Sequence, residues 1–363
     1  MTFSSLLVAN RGEIAVRLIR AGAEAGLRTI AIHPEDDARS LHVRKADEAR
    51  MLPGRGARAY LDIEAVIEAA KATGASAIHP GYGFLSENAD FARACEAAGI
   101  VFVGPTAEML ELFGDKVRAR ALAVECGVAL LEGTSGPTDL EQARAFMAAA
   151  DGAPVMLKAV AGGGGRGMRP VQDPSELETA FERCASEAEA AFGNGSLYVE
   201  RYLPRARHIE VQVIGDGRGG IAHLHERECT LQRRHQKLVE MAPSPSLRAE
   251  TRDAIIAAAT RMAGSADYRS LGTFELLVDA DDGETFAFME ANPRLQVEHT
   301  VTEMVTGVDL VRGQLAIAAG ADLAAAGLHG PPPASRGYAV QVRINTEQMR
   351  ADGMALPKGG TLT

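Results

Sequence analysis

Apolar and polar positions over the first hundred residues follow two alternating rhythms. Short apolar runs of strand length alternate with stretches in which apolar residues recur at helical spacing. The strand-like runs are residues 6–9, 29–32, 77–78 and 100–103, and the helical stretches include residues 14–25 and 63–72. Gly26 and Gly99 each stand between a helical stretch and the next strand, where glycine commonly follows a helix end. This rhythm predicts a parallel α/β domain.

The pattern changes after residue 106. Helical spacing at residues 116–126 and 139–150 is followed by a strand-like run at residues 155–158 and by a glycine run at residues 162–167. We interpret residues 106–192 as a small, separately packed module.

From residue 197 onward, strand-like runs dominate the chain. They are residues 197–200, 208–214, 221–226, 272–278, 285–290 and 337–344. Asp281, Asp282 and Gly283 stand between two of these runs and predict a hairpin turn. This part of the chain is therefore expected to form an antiparallel sheet with long helices packed on it.

Composition narrows the class of protein. Of the 363 residues, 46% are hydrophobic and 24% are charged, which is typical of a soluble globular enzyme with two or three packed units. The net charge of -10 argues against a general nucleic-acid binder, because phosphate contacts need clustered basic residues. No apolar stretch approaches the ~20 residues that cross a bilayer. Four widely spaced cysteines without a CxxC pair favour a reducing, cytoplasmic setting.

The glycine run at residues 162–167 directly follows a strand-like run that ends in Lys158. Glycine allows backbone N–H groups to approach and wrap phosphate oxygens, so the run favours a lid over a polyphosphate. It is not a P-loop, because the pattern GxxxxGK[ST] is missing. A surface loop without a ligand is the alternative that these residues leave open.

Two carboxylates and one amide lie in two strand-like runs. Glu275 belongs to the first run, and Glu290 and Asn292 lie at the end of the second. We expect the two strands to pair as a hairpin, which would bring oxygen ligands of the kind that Mg²⁺ prefers to one end of the sheet. Exposed strand carboxylates paired with arginines are the alternative.

Basic donors cluster in two short segments, residues 232–237 and 294–299. Lys237 and Arg294 suit a small planar anion, since guanidinium binds carboxylate-like anions through two hydrogen bonds. Bicarbonate is such an anion, and Glu298 is a candidate base if its environment tunes its pKa. A solvated basic face is the alternative interpretation.

Three histidines, His223, His225 and His235, are candidates for a zinc site, since imidazole commonly binds zinc. Strand alternation makes His223 and His225 neighbours on one face, but it supplies no third ligand at a defined spacing. We therefore do not predict zinc and expect His208 and His235 to contact a nucleotide.

Seven segments together resemble the biotin carboxylase family over nearly the whole chain. They are residues 8–15 (VANRGEIA), 79–88 (HPGYGFLSEN), 114–116 (GDK), 162–168 (GGGGRGM), 232–237 (QRRHQK), 272–275 (GTFE) and 290–299 (EANPRLQVEH). The resemblance implies an ATP-grasp fold of the α/β class with an α+β C-terminal part.

The resemblance also implies three domains. A Rossmann-like N-terminal domain would span residues 1–113, and an ATP-grasp part would span residues 114–203, with the glycine-rich lid from about residue 130. A C-terminal domain with an antiparallel sheet and the metal ligands would span residues 204–363. Domains of the family continue further, so we expect this last domain to be truncated.

The family's functional residues carry over to positions that match its motifs. The implied nucleotide contacts are Lys116, Lys158, Gly163, Gly164, Gly165, Gly167, Met168, Glu200, Arg201 and Leu203. Further contacts, to the nucleotide or to bicarbonate, are implied for His208, Gln232, His235 and Lys237. The implied metal ligands are Glu275, Glu290 and Asn292, and the implied bicarbonate contacts are Arg294, Gln296 and Val297. Glu298 resembles the base that deprotonates bicarbonate, and Arg343 resembles the arginine that stabilises the biotin enolate.

The reaction that the resemblance implies is ATP- and Mg²⁺- or Mn²⁺-dependent carboxylation of biotin by bicarbonate through carboxyphosphate. The string AMKM is missing, so biotin would arrive on a carrier domain, and a carboxyltransferase domain would pass the carboxyl group on. Acyl-CoA, pyruvate and urea are open as acceptors, with a slight preference for a multidomain acyl-CoA carboxylase. A homodimer is also implied. Another ATP-grasp ligase and an inactive nucleotide-binding fragment are the alternatives.

Overall fold

The computed structural model describes residues 2–161, 167–233, 235–351 and 355–358. The helices are α1 (Gly12–Glu24), α2 (Leu41–Lys45), α3 (Ile63–Ala72), α4 (Ala89–Ala97), α5 (Ala107–Gly114), α6 (Lys116–Glu125), α7 (Leu140–Ala149), α8 (Leu177–Phe192), α9 (Ala249–Ser265), α10 (His299–Thr306) and α11 (Leu310–Ala318). The strands are β1 (Ser5–Val8), β2 (Arg28–His33), β3 (Glu48–Met51), β4 (Ala77–His79), β5 (Val101–Phe102), β6 (Val155–Ala159), β7 (Met168–Val171), β8 (Leu197–Arg201), β9 (Ala206–Asp216), β10 (Ile221–Arg233), β11 (Gln236–Ala242), β12 (Arg269–Asp279), β13 (Phe286–Asn292), β14 (Ala339–Val342), β15 (Glu347–Met349) and β16 (Ala355–Pro357).

The N-terminal region forms a parallel sheet with the strand order β3-β2-β1-β4-β5. Strand β1 is buried along its whole length, because helices cover a parallel sheet on its faces. Since β1 and β4 are neighbours, the loops that follow them meet at the carboxyl edge of the sheet, where α/β proteins place ligands. The parallel α/β domain predicted from the sequence is confirmed.

The second part of the structure is a small antiparallel sheet with the strand order β7-β6-β8. Leu157 and Val199 of this sheet share one core with Met147 of α7 and Cys184 of α8. We call these elements the lid module. The predicted Gly163, Gly164 and Gly165 belong to the segment between β6 and β7 that lies outside the described residues.

Helices α5 and α6 do not share the core of the lid module. Phe113, Ala119 and Ala123 pack instead with Ile209 and Phe274 of the large sheet. The interpretation of residues 106–192 as one separately packed module is therefore wrong. The helical spacing located α6, whereas α5 was not predicted, and the spacing could not indicate which sheet covers the apolar face of a helix.

The central sheet has six antiparallel strands in the order β13-β12-β9-β10-β11-β14. Alternation along β9 sends Ile209, Val211 and Val213 into the core that α9 covers, because successive side chains of a strand point to opposite faces. His208 and Glu210 belong to the other face and are also buried. This second, polar face carries the candidate site.

None of the helices in the described part of the chain is long and apolar enough to span a membrane.

Candidate functional site

A cleft of about 470 Å³ lies where the lid module, the central sheet and the loop after β4 meet. It brings together most of the residues singled out in the sequence. Those lining it are Lys158, Met168, Glu200, Arg201, Leu203, His208, Gln232, His235, Lys237, Glu275, Glu290, Asn292, Arg294, Gln296, Val297, Glu298 and Arg343. Lys116 and Gly167 do not line it, although Lys116 Nζ lies 3.5 Å from Glu290 Oε2.

The segment of residues 8–15 holds the segment of residues 79–88 against this cleft. Asn10 Nδ2 donates to the carbonyl oxygens of Pro80 at 2.7 Å and Tyr82 at 2.8 Å. Gly81 has a φ of +68° and an added Cβ would lie 3.0 Å from Asn10 Nδ2, so the turn requires glycine. Tyr82, which the sequence analysis did not single out, consequently lines the cleft.

Lys237 is the centre of a buried acidic cluster on the central sheet. Its ammonium donates to Glu210 at 2.7 Å, Glu275 at 2.9 Å and Glu298 at 2.8 Å. Burial alone would lower the pKa of Lys237, yet the surrounding acidic groups hold it well above its usual value. The lysine is therefore a fixed cation whose three partners are ordered by it.

Glu210 and Glu298 extend this cluster into a chain of alternating charges. On one side, Arg227 Nε donates to Glu210 Oε1 at 2.5 Å. On the other side, Arg343 Nη2 donates to Glu298 Oε2 at 2.7 Å, and Arg343 Nε donates to Glu240 Oε1 at 2.5 Å. Successive hydrogen bonds join these charged side chains in the order Arg227, Glu210, Lys237, Glu298, Arg343 and Glu240. Such pairing is what allows charges to be buried.

Glu275 and Glu290 stand directly opposite each other in the β12–β13 ladder. The hairpin predicted for these two strands is confirmed. Glu275 Oε1 also accepts from Asn292 Nδ2 at 2.6 Å, and its Oε2 is 2.5 Å from His208 Nε2. Burial would raise the pKa of Glu275, but Lys237 and His208 hold it well below its usual value.

This donor set fits a magnesium ion. Glu290 remains partly accessible and its carboxylate is held only loosely by Lys116 at 3.5 Å. Carboxylate and amide oxygens at one end of a hairpin are the hard ligands that Mg²⁺ takes alongside water and phosphate oxygens. A different trio, Glu210, Cys229 and Glu298, also offers closely spaced ligand atoms among the described residues. Burial raises the pKa of the Cys229 thiol well above its usual value, which disfavours the thiolate that would bind a metal, so that trio is a poor metal site.

Arg294 lies in the loop between β13 and α10. Its Nη1 donates to Gln296 Oε1 at 2.7 Å and its Nη2 donates to Asn292 Oδ1 at 3.0 Å. Its Nε lies 3.2 Å from Glu87 Oε2, in the segment of residues 79–88. Burial would lower the pKa of Arg294, and Glu87 raises it above its usual value. The guanidinium is thus held by three neighbours at the wall of the cleft.

The lid module contributes a second buried lysine. Lys158 on β6 pairs with Glu200 on β8, and Arg120 Nη1 approaches the same carboxylate at 3.1 Å. Burial would lower the pKa of Lys158, but Glu200 raises it above its usual value. Apolar side chains line the cleft from both sides: Met156 and Met168 of the lid module, Leu203 after β8, and Leu277 and Met289 of the central sheet.

Three acids of the site were missed by the sequence analysis. Glu210 could have been found, because His208, Glu210 and Gln212 alternate with apolar residues along β9 and so share one face. Glu87 and Glu240 carry no such signal, since each becomes relevant only through an arginine distant in the sequence.

Two family models match most of the chain. Residues 115–326 match the ATP binding domain of the carbamoyl-phosphate synthase L chain. Together with the sheets and the cleft described above, this match places the chain among the ATP-grasp enzymes. Residues 2–110 match the N-terminal domain of biotin carboxylase.

Individual known proteins are similar over nearly the whole chain. Pyruvate carboxylase of Aspergillus niger is 51% identical over 352 residues, which is 96% of this chain and 29% of that protein. The biotin carboxylase domain of Hydrogenobacter thermophilus 2-oxoglutarate carboxylase, a dimer in complex with MgADP, ADP and bicarbonate, is 44% identical. The TM-score is 0.90 over 96% of this chain and 76% of that one. A single-chain, multi-domain long-chain acyl-CoA carboxylase is 45% identical with a TM-score of 0.84, covering 98% of this chain and 33% of that one.

This chain belongs to the biotin carboxylase family. The family, the fold class and the ligase class predicted from the motifs are confirmed. Biotin carboxylases use ATP, Mg²⁺, bicarbonate and biotin. The chain spans less than a third of the length of the curated pyruvate carboxylases it matches.

Proposed function

We propose that this chain is the biotin carboxylase part of a larger biotin-dependent carboxylase. In the proposed reaction ATP phosphorylates bicarbonate, which gives carboxyphosphate and ADP. Carboxyphosphate breaks down to CO₂ and phosphate, the phosphate takes the proton of the ureido nitrogen of biotin, and that nitrogen attacks CO₂. One observation carries the proposal. Glu298 is hydrogen-bonded to both Lys237 and Arg343 in the cleft that also holds Arg294.

The lid side of the cleft suits the nucleotide. Met156 and Met168 of the lid module offer an apolar surface for a purine ring, with Glu200 and Arg201 in the same cleft. Lys158 supplies a buried positive charge for phosphate oxygens, and His235, in the turn between β10 and β11, lines the same cleft. Lys116 and Gly163, Gly164, Gly165 and Gly167 are proposed to complete the phosphate contacts.

The central sheet suits the metal and the anion. Glu275, Glu290 and Asn292 would hold Mg²⁺, which neutralises phosphate charge when it is bound. Arg294 and Gln296 are joined by a hydrogen bond and, with Val297, would position bicarbonate. Phosphoryl transfer needs mainly alignment and charge neutralisation, and side chains fixed by several hydrogen bonds provide both.

Glu298 and Arg343 would act on bicarbonate and biotin. A carboxylate oxygen of Glu298 would take the bicarbonate proton, since the two cations beside it fix its position. Arg343 would stabilise the negative charge that develops on the ureido oxygen of biotin, as a guanidinium can donate through more than one nitrogen. Placing both residues side by side links the two steps.

Partners follow from the proposed reaction. Biotin would be presented by a carrier domain, and a carboxyltransferase domain would use the carboxylated biotin, in the same or another chain. A homodimer is proposed because one similar domain forms a dimer. A cytoplasmic location is supported by the four cysteines of the described residues, all of which are free thiols.

The proposal is tested by ADP release from the complete natural protein that contains these residues, with Mg²⁺ present. Full turnover should require both bicarbonate and free biotin. Glu298→Gln should reduce it by about 10²- to 10⁴-fold, the usual contribution of a positioned acid–base group. Arg144→Ala, on the exposed face of the lid module, is the control. ATP turnover that ignores bicarbonate, or that depends on a different acceptor, would refute the assignment.

A further inference from the structure

Arg343 is held at the edge of the central sheet by two carboxylates. Its backbone N–H donates to Leu238 O at 2.8 Å, which continues the β11–β14 pairing by one residue. Its Nε then meets Glu240 Oε1 at 2.5 Å and its Nη2 meets Glu298 Oε2 at 2.7 Å. The third nitrogen, Nη1, has no hydrogen-bond partner among the residues that the structure describes, and Arg343 lines the cleft. One donor edge of the guanidinium is thus left for a ligand.

Glu240 differs from Glu298 in where it lies. Both side chains are fully buried, but Glu298 lines the cleft and Glu240 does not. Glu240 sits on β11 opposite Gln341 of β14, behind the guanidinium. Its direct contact towards the cleft is the hydrogen bond to Arg343.

Burying Glu240 is costly to the fold. Its Oε2 has no hydrogen-bond partner within the described part of the chain, and a buried polar atom left without one costs free energy. Burial raises the pKa of Glu240 above its usual value even though Arg343 lowers it. Among the described residues the one hydrogen bond of the Glu240 side chain is the one that Oε1 accepts from Arg343 Nε, so contact with this arginine accounts for a buried acid at this strand position.

We propose that Glu240 is a positioning residue that fixes the guanidinium of Arg343 so that Nη1 faces biotin. This inference rests on the proposed function. A guanidinium bound at Nη2 alone could still swing about that contact, whereas a second contact at Nε fixes its plane. Glu298 would then be shared between an ordered arginine and Lys237.

The chain offers a matched control for this role. Glu226 on β10 is also fully buried, its Oε1 accepts from Arg252 Nε at 2.8 Å, and its Oε2 likewise has no partner within the described residues. Glu226 and Arg252 do not line the cleft. Glu226→Gln therefore makes the same chemical change, at the same depth in the same sheet, away from the proposed biotin contact.

The test compares Glu240→Gln with Glu226→Gln in the complete natural protein. Two rates are measured: bicarbonate-dependent ATP hydrolysis without biotin, and carboxylation of free biotin. We expect Glu240→Gln to lower kcat/KM for biotin by roughly ten- to hundredfold, the effect typical of residues that orient a functional ligand, and to lower biotin-free ATP hydrolysis by much less. Glu226→Gln should change neither rate. Glu240→Asp, which keeps the charge but shortens the reach to Nε, should show the same selective loss.

A double-mutant cycle separates positioning from a merely structural role. In an Arg343→Lys background, Glu240→Gln should cost little further, because Nε is already lost. Equal losses in both backgrounds would overturn the proposal. The proposal would also be overturned if Glu240→Gln lowered biotin-free ATP hydrolysis and biotin carboxylation equally and lowered the melting temperature. If the unaltered protein shows no stimulation by biotin, the proposed function itself fails, which is a distinct result.

Discussion

The lid module and the central sheet each bury one lysine, and their surroundings are opposite in charge. Lys158 in the lid module shares a single carboxylate, Glu200, with a second cation, Arg120. Lys237 in the central sheet is one cation among three carboxylates. Glu200 thus faces two cations, Lys158 of the lid module and Arg120 of α6. On the sheet, Arg227 and Arg343 pair with Glu210 and Glu298, but with Glu240, Glu275 and Glu290 included the acids still outnumber the cations. Complementary ligands are an anion for the first and a cation for the second.

This difference explains how one cleft can accept a nucleotide and a metal at once. Phosphate oxygens favour the surroundings of Lys158, where Lys158 and Arg120 share the single carboxylate of Glu200. A divalent cation favours the sheet, where Glu275 and Glu290 face each other. A nucleotide with bound Mg²⁺ would neutralise the charges of both regions. The nucleotide alone or the metal ion alone would leave the charge of one region without a partner.

The largest effect is expected from Lys237→Met. The change leaves three buried carboxylates without their shared ammonium, and removing one partner of a buried ion pair costs about 3–5 kcal/mol. Urea unfolding should show that loss of stability, and biotin carboxylation should disappear. Mg²⁺ should restore part of the stability, because a cation that binds only the folded state shifts the equilibrium towards it. Unchanged stability in urea would contradict the idea that Lys237 neutralises the buried carboxylates of the central sheet.

Lys158→Met should have a smaller effect of a different kind. Arg120 still neutralises Glu200 in this variant, so the fold should be less affected than by Lys237→Met. A charged hydrogen bond to phosphate would be lost, worth about 1.5–3 kcal/mol, which corresponds to roughly ten- to hundredfold weaker nucleotide binding. Calorimetric titration with MgADP measures it.

The control for Lys158 is Arg144→Ala in the same module. Arg144 pairs with Glu178 at 2.6 Å, but both side chains are more than half exposed, and such pairs contribute little. Nucleotide affinity should not change. If Arg144→Ala weakened MgADP binding as much as Lys158→Met did, a general surface field rather than the buried lysine would explain the lid's preference.

The sequence predicted the elements of this comparison better than their contacts. Apolar runs located most of the strands, but not β3, β7, β11, β15 or β16. The hairpin that pairs Glu275 with Glu290 followed from its turn residues. Glu210 was missed although its strand pattern shows it. Glu240 was out of reach, because it meets Arg343 only after β11 and β14 have paired across about a hundred residues of chain.

The interpretation of helices α5 and α6 failed for the same physical reason. Helical spacing tells that one face is apolar, but not which sheet covers that face. Their side chains pack with the central sheet rather than with the lid. Local pattern therefore predicts elements, while the partner of each buried face depends on contacts between distant segments.

The smallest expected effect concerns the acid sensitivity of the two regions. Both buried lysines have raised pKa values, so neither changes charge between pH 7 and pH 5. His299 lies directly after Glu298, and burial lowers its pKa to about 4. Its Nδ1 donates to Gln296 O at 2.7 Å, next to the proposed bicarbonate contacts. Loss of stability in acid should therefore arise at the start of α10, beside the central sheet, and not in the lid module.

The sign follows from the two protonation states. An unfolded histidine takes up its proton near pH 6.5, whereas folded His299 does so only near pH 4. Between these values the unfolded state binds more protons, so stability is highest above pH 6.5 and is lost as the pH falls towards 4. His299→Asn keeps a donor for Gln296 O without titrating. Urea unfolding at pH 7 and pH 5 should show the variant losing roughly 1–2 kcal/mol less than the unaltered protein, since each pKa unit corresponds to about 1.4 kcal/mol. Equal losses in the two proteins would mean that protonation of His299 does not limit stability in acid.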